Sequence, residues 1–318
     1  LLPELRKKLY VPTALEAAFP SFNMPGKEVR FPFANNKVSP FLKNAATWTS
    51  ITATDDTLSQ ISATAKSFGA RITADEDTVA DSVVPALDYF RDSLTTALSA
   101  GVESAIMNGD TTDAHADLHT TASPRLWSES GRWDTSSVTS AAGDHRRAFI
   151  GLRAAAYDAS TGRDAAAMSY ADILATRSSL DSGYQSASDL LMIVSPIVMV
   201  KYLLKLEQVA TLDKFGQAAA ILQGSIAKIG GMDVIVSGAM TDDLSASGVF
   251  DGSDTDHTGY VIVHRPSWVM GNYKPQTIDI DREITKGQIE IVGTRRCTLI
   301  DMSNGAKSVA YGYNVEKA

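Results

Sequence analysis

An α+β fold is what this sequence predicts, and three observations predict it. One long amphipathic helix runs near residues 81–107, the last part of the chain is dense in strand formers, and the first 44 residues are basic and rich in proline and phenylalanine. With 318 residues and 44% apolar content, the chain can bury a large core.

Leu1 to Asn44 holds six of the eleven prolines, so it cannot form a long helix and is expected to run extended over a surface. Seven Lys and Arg against three Glu give this stretch +4 and leave −12 for the rest of a chain whose net charge is −8. That asymmetry predicts an arm reaching onto another acidic surface, with only a short helix around Thr13 to Ala18. Five phenylalanines between Phe19 and Phe41 are too many for a disordered tail.

Val29 to Phe33 reads as a short edge strand and Ala34 to Leu58 as a protruding loop around Trp48. Ile61 to Ile72 reads as the returning strand, rich in small and β-branched residues, so that together they make a long two-stranded finger. Thr73 then caps a helical region whose acids suit a helix N-terminus. Val83, Leu87, Phe90, Leu94, Leu98, Val102, Ala105 and Ile106 recur at threes and fours, predicting a helix over 81–107 that Asn108-Gly109-Asp110 stops. Pro85 belongs in its first turn or marks a kink.

The polar stretch from Thr111 to Gly143 reads as a loop. Helices are expected over 145–157, 169–180 and 196–209, with Leu190 to Val194 as a fully buried strand between the last two. Ile226 to Val236 reads as a hairpin turning at Gly230-Gly231, and Gly259 to His264 as a further strand. Strands are expected around Ile278, Ile280 and Ile284, from Gln288 to Cys297, and from Ala306 to Asn314 after an Asn304-Gly305 turn.

Composition and motifs exclude more than they assign. A net charge of −8 argues against a protein that wraps nucleic acid. No apolar run reaches the roughly 18 residues of a membrane helix; the longest, 190–206, is broken by Ser195, Pro196 and Lys201. The N-terminus lacks the basic-then-apolar order of a secretory signal, and its start without Met reads as trimmed. Cys297, the lone cysteine, reads as a small core hydrophobe in a reducing cytoplasm.

No phosphate-binding glycine loop and no nucleophile elbow occurs. His115 and His119, beside Asp113 and Asp117, have metal-ligand spacing but lie in a stretch that reads as solvated loop. Asp251 to Asp256 lacks the bidentate glutamate of a calcium loop and reads as a hairpin tip. No catalytic, cofactor or metal site is therefore expected, and an enzyme of unfamiliar type is the weakest alternative.

The order of elements, together with Ile72-Thr73-Ala74-Asp75-Glu76, Ala105-Ile106-Met107-Asn108-Gly109-Asp110 and the Ile226–Ser237 segment, resembles the tailed-bacteriophage major capsid family, the Hong Kong 97-type fold. The resemblance implies an N-terminal arm over 1–26, an extended hairpin loop over 27–72 and a peripheral domain over 73–143 with its spine helix at 81–107. An axial domain over 144–274 and return strands of the peripheral domain over 275–318 complete it. It implies a subunit that self-assembles through pentamers and hexamers into an icosahedral shell around the double-stranded DNA of a tailed virus, built in the host cytoplasm. Scaffolding, portal and decoration proteins would be its further partners, and DNA would be enclosed without sequence-specific binding.

Inter-subunit contacts are expected from the arm and loop at Arg6, Lys7, Lys8, Arg30, Lys37, Lys43 and Trp48. Some family members crosslink a loop lysine to a neighbour's asparagine; Lys37 or Lys43 and Asn272 or Asn304 would be the residues here, though no spacing supports that chemistry. The trimmed start resembles maturation cleavage. A cellular nanocompartment of the encapsulin type is the rival within the fold, disfavoured because prolines interrupt the N-terminal helix such shells use.

Overall fold

The computed structural model describes residues 14–34, 38, 58–80, 86–111, 143–166, 168–206, 228–249 and 256–317. Two sheets flank one long helix. The helix, α3 (Ala86–Asn108), has 23 residues and is about 35 Å long at 1.5 Å per residue. Residues 81–85, including Pro85, lie outside the described part. Its first half is amphipathic, whereas Ala100 to Asn108 is buried all round, because the second half is clamped between the sheets.

On one side of α3 lies a four-stranded sheet of β1 (Ser21–Asn23), β10 (Trp268–Glu283), β11 (Gln288–Asp301) and β4 (Lys66–Asp75), in that order. All its pairings are antiparallel except β1 with β10. On the other side lies a six-stranded sheet in the order β5 (Gly162–Asp164), β12 (Val309–Glu316), β9 (His257–His264), β6 (Leu190–Val194), β8 (Met232–Val236) and β7 (Lys228–Ile229).

Strand alternation gives the six-stranded sheet two apolar faces. Leu191, Ile193, Val261, Val263, Val309 and Tyr311 face the core shared with Leu98, Val102 and Ile106 of α3. Leu190, Met192, Val194, Ile262 and Ala310 face a second core under α5 (Tyr170–Ser178) and α6 (Pro196–Lys201). That is why β6 consists of five consecutive apolar residues. Ser169 and Asp172 cap α5 reciprocally, and Ser195 with Pro196 opens α6.

Several expectations are corrected. The returning strand of the finger is two strands: β3 (Leu58–Thr64) pairs with β2 (Glu28–Ala34), then the chain bends at buried Ala65 and β4 pairs with β11 instead. The Ala65 N–H donates to Lys27 O at 2.8 Å, closing the base of the β2–β3 hairpin. Small residues on both sides hide this bend in the sequence.

The helix expected over 145–157 is a 3₁₀ turn (His145–Arg147) and a separate α4 (Leu152–Asp158). The break holds Gly151 against Gly109 at the end of α3. A Cβ on Gly151 would lie 2.5 Å from Gly109 N, and one on Gly109 2.3 Å from Ala105 O. Only glycine permits that approach.

Helix α6 ends at Lys201 and a 3₁₀ turn follows at Leu203–Lys205; 207–209 of the expected helix lie outside the described part. Strand β10 begins at Trp268 and passes through Lys274-Pro275, where a domain boundary is expected from the sequence. Register shifts around Lys274 accommodate the proline. The final strand, expected among the peripheral return strands, joins the six-stranded sheet, because Val309, Ala310 and Tyr311 are buried there against β9.

Residues 14–26, expected within a reaching arm, pack on their own chain. Leu15 and Phe19 enter the core of α3, and Glu16 of α1 (Leu15–Ala18) forms a two-pronged ion pair with Arg295 of β11. The Gly230-Gly231 turn has φ of +57° and +84°, as expected.

Candidate assembly interface

The β2–β3 hairpin has two unlike faces. Val29, Phe31 and Phe33 share one with Ser59, Ile61 and Ala63, half-buried or buried, and the Phe31 ring meets Phe22 edge-on at 5.6 Å. The other carries Glu28, Arg30, Pro32, Ala34, Leu58, Gln60, Ser62 and Thr64, all exposed. Arg30, an expected contact residue, pairs with Glu28 at 2.8 Å on this outer face, and Leu58 there is 77% exposed. The other expected contacts, Arg6, Lys7, Lys8, Lys37, Lys43 and Trp48, lie outside the described residues, as do His115, His119 and all but Asp256 of the 251–256 segment.

A cleft of about 560 Å³ opens at the hairpin root, with Ile61, Ala63, Phe149, Ile150, Trp268 and Leu299 in its walls. A second projection is the β10–β11 tip, where Ile284 is 82% exposed and Arg282 reaches back to pair with Glu76. Exposed apolar side chains on rigid hairpins are what associating surfaces offer. Their signal in the sequence is faint, because a single exposed Leu or Ile is ordinary on any protein surface.

Beneath these surfaces a buried polar junction joins the elements. Asn108, the last residue of α3, donates to Ala239 O and accepts from Arg153 of α4, both at 2.8 Å. Arg153 also donates to Gly248 O at 2.8 Å and lies over the Tyr311 ring at 5.2 Å. Tyr157 and Tyr311 hydroxyls donate to the same carbonyl at 3.1 Å. The Ser237 hydroxyl donates to Glu103 at 2.5 Å, and Arg146 pairs with Asp144 with both side chains buried. The junction was missed from sequence; an arginine inside the apolar Leu152–Ala156 run was its one signal.

Titratable groups elsewhere are set by burial. Cys297 is fully buried, and burial pushes its thiol up to about 12, so it packs as a hydrophobe rather than reacting. Burial raises Asp242, opposed by the Ser195 and Thr258 hydroxyls and by Lys317. It also raises Asp301, opposed by Ser303 and Gly305. His264 is held below its ordinary value by burial, against the Asp189 charge. Among the described residues no three His, Cys, Asp or Glu side chains converge as metal ligands.

No family model matches the sequence, and no curated protein does. Solved structures match along nearly the whole chain. A chain of Microbacterium phage Oxtober96 aligns at TM-score 0.61 and 12% identity, over 98% of this chain and 94% of that one. The capsid of a native GTA particle aligns at 0.58 and 13%, over 98% and 93%, and the capsid of Cyanophage P-SCSP1u at 0.54 and 11%, over 100% and 92%. The mixed helix-and-sheet chain described above therefore has the fold of these phage and capsid chains.

Proposed function

We propose that this chain is the major capsid protein of a tailed virus, self-assembling into the icosahedral shell that encloses a double-stranded DNA genome. The observation that carries the reading is that likeness to capsid structures spans nearly the full length of both partners. A binding module or enzyme sharing only a core would align over part of its length. The encapsulin alternative has no observation in its favour.

In this reading α3 and the four-stranded sheet form a peripheral domain with α3 as its spine, residues 27–64 are the extended loop, and the six-stranded sheet with β12 is the centre of the axial domain. Pentamers and hexamers close by repeating one heterologous contact. The hairpin's half-covered Val29-Phe31-Ile61 row and exposed Leu58 supply apolar surface for neighbouring copies. The basic residues at 6–8, 30, 37 and 43, with Trp48, meet acidic neighbours. Many modest contacts then give the shell its strength collectively. The virion is the proposed location, the host cytoplasm the assembly site, and portal, scaffolding and decoration proteins the further partners.

Size-exclusion chromatography and electron microscopy of the purified chain test this directly. Closed megadalton shells are expected, and a small oligomer under all assembly conditions overturns the reading. Leu58→Asp, at a solvent-facing position, should leave the subunit folded and reduce shell yield. Nucleic acid inside particles recovered from a native source separates a genome container from a cargo compartment.

A further inference from the structure

Asn-Gly occurs twice in this sequence, at Asn108-Gly109 and Asn304-Gly305, and the fold treats the two in opposite ways. The pair is chemically reactive because glycine lacks a side chain to shield its backbone nitrogen, which sits within reach of the asparagine amide carbon. Asn108 is buried, with its amide nitrogen on Ala239 O and its oxygen held by Arg153. Gly109 N–H is committed to Ala105 O at 2.9 Å. A five-membered ring cannot form there without dismantling the helix end.

Asn304 and Gly305 form the exposed turn between β11 and β12, with φ of +53° and +83° and nothing within 4 Å of a Cβ placed on Gly305. The Asn304 amide makes a 3.3 Å contact with Ser59 Oγ, at the outer end of β3. The turn is fastened from within by Asp301, whose carboxylate accepts from Ser303 N–H, Ser303 Oγ and Gly305 N–H. Opening it requires release of these few hydrogen bonds, not of any core side chain.

We propose that Asn304 is a site of spontaneous deamidation in the folded protein, a slow covalent modification at the place where this turn touches the β2–β3 hairpin. Gly305 N attacks Asn304 Cγ, the Cγ–Nδ2 bond breaks, and ammonia leaves with the proton from Gly305. Water then opens the resulting succinimide to aspartate or isoaspartate. The balance is one water in and one ammonia out, with no redox partner. The product carries a carboxylate where an amide donor met Ser59, adding a negative charge beside Asp301. The isoaspartyl form also inserts a methylene into the turn.

The test is peptide mapping by mass spectrometry of the native full-length chain after prolonged incubation in mildly alkaline buffer, with a urea-unfolded sample alongside. In the native sample the Asn304 peptide is expected to gain about one mass unit, and the Asn108 peptide to stay unchanged. Exposed turns open locally while core segments open only with the whole fold, so the two rates should differ by about a hundred-fold or more. In urea the two peptides should convert comparably. An Asn304 peptide that stays intact in the native chain while converting in urea overturns the proposal, as does equal native conversion at both sites. Asn304→Gln, whose ring closure is unfavourable, should abolish the native product without altering the fold.

Discussion

Replacing Arg153 with Met tests whether the buried junction ties the end of α3 to α4, the 239–248 segment and the six-stranded sheet. The substitution keeps the aliphatic stem and removes the guanidinium. It deletes the 2.8 Å hydrogen bonds to Asn108 Oδ1 and Gly248 O and the 5.2 Å contact with the Tyr311 ring. Gly248 O keeps the Tyr157 and Tyr311 hydroxyls, so its loss is about 1 kcal/mol, an ordinary net hydrogen bond. Withdrawing a charged donor from buried Asn108 costs about 1.5–3 kcal/mol, and the ring contact adds about 0.5–1. Relief of guanidinium desolvation offsets part of this, leaving about 3 kcal/mol, in the destabilising tail for single substitutions.

Urea unfolding of the unassembled subunit reads the total. Amide exchange reads its location, and protection should fall first between Ala239 and Gly248. A double-mutant cycle with Asn108→Ala should return a coupling of about 1–3 kcal/mol. A loss below about 1 kcal/mol, or unchanged protection in that segment, would refute the view that Arg153 fastens the junction.

Two further outcomes are expected. Glu16→Gln weakens the two-pronged pair with Arg295, whose side chain is 13% exposed, by about 1–2 kcal/mol. Limited proteolysis should then cut residues 14–26 faster, and equal rates would sink the idea that the pair pins that segment. His264 lies against the Tyr184 ring at 5.1 Å and bonds Ser267 at 2.7 Å, and burial lowers its pKa. The unfolded chain therefore binds more protons in the window below 6.5, so stability is full above it and falls as pH drops towards the folded value. His264→Gln should flatten that part of the stability profile; an unchanged slope would assign it elsewhere.

The elements legible in the sequence are those whose pattern is set locally. Helix α3 shows its stripe, β6 shows five apolar residues in a row, and β8 follows a Gly-Gly turn that only positive φ explains. The errors fall where tertiary contact overrides local preference. Nothing in Ile61–Ile72 marks Ala65 as the residue at which a strand changes partners. Ala148–Gly151 reads as helix until Gly109 is known to occupy the space beside it. The resemblance places the last strand among return strands over 275–318, whereas the apolar run of β12 pairs with β9.

Less of the candidate interface was legible. Of the expected contact residues Arg30 is described, and it lies on the hairpin's exposed face. Leu58 carries no periodicity as a single apolar side chain at the end of a polar loop, and Ile284 reads as one more strand residue after Ile278 and Ile280.

One edge of the six-stranded sheet is β5, a strand of three residues. A chain that assembles as proposed would meet many copies of itself, and its own backbone would then be a danger. A long open ladder at either end would let sheets zip together without limit and produce fibres. So short a margin gives an incoming strand too few hydrogen bonds to stay, and at this edge attachment is left to side chains, whose geometry can specify an angle and a stopping point. On that view this three-residue strand would favour closure over endless growth as the outcome of concentration.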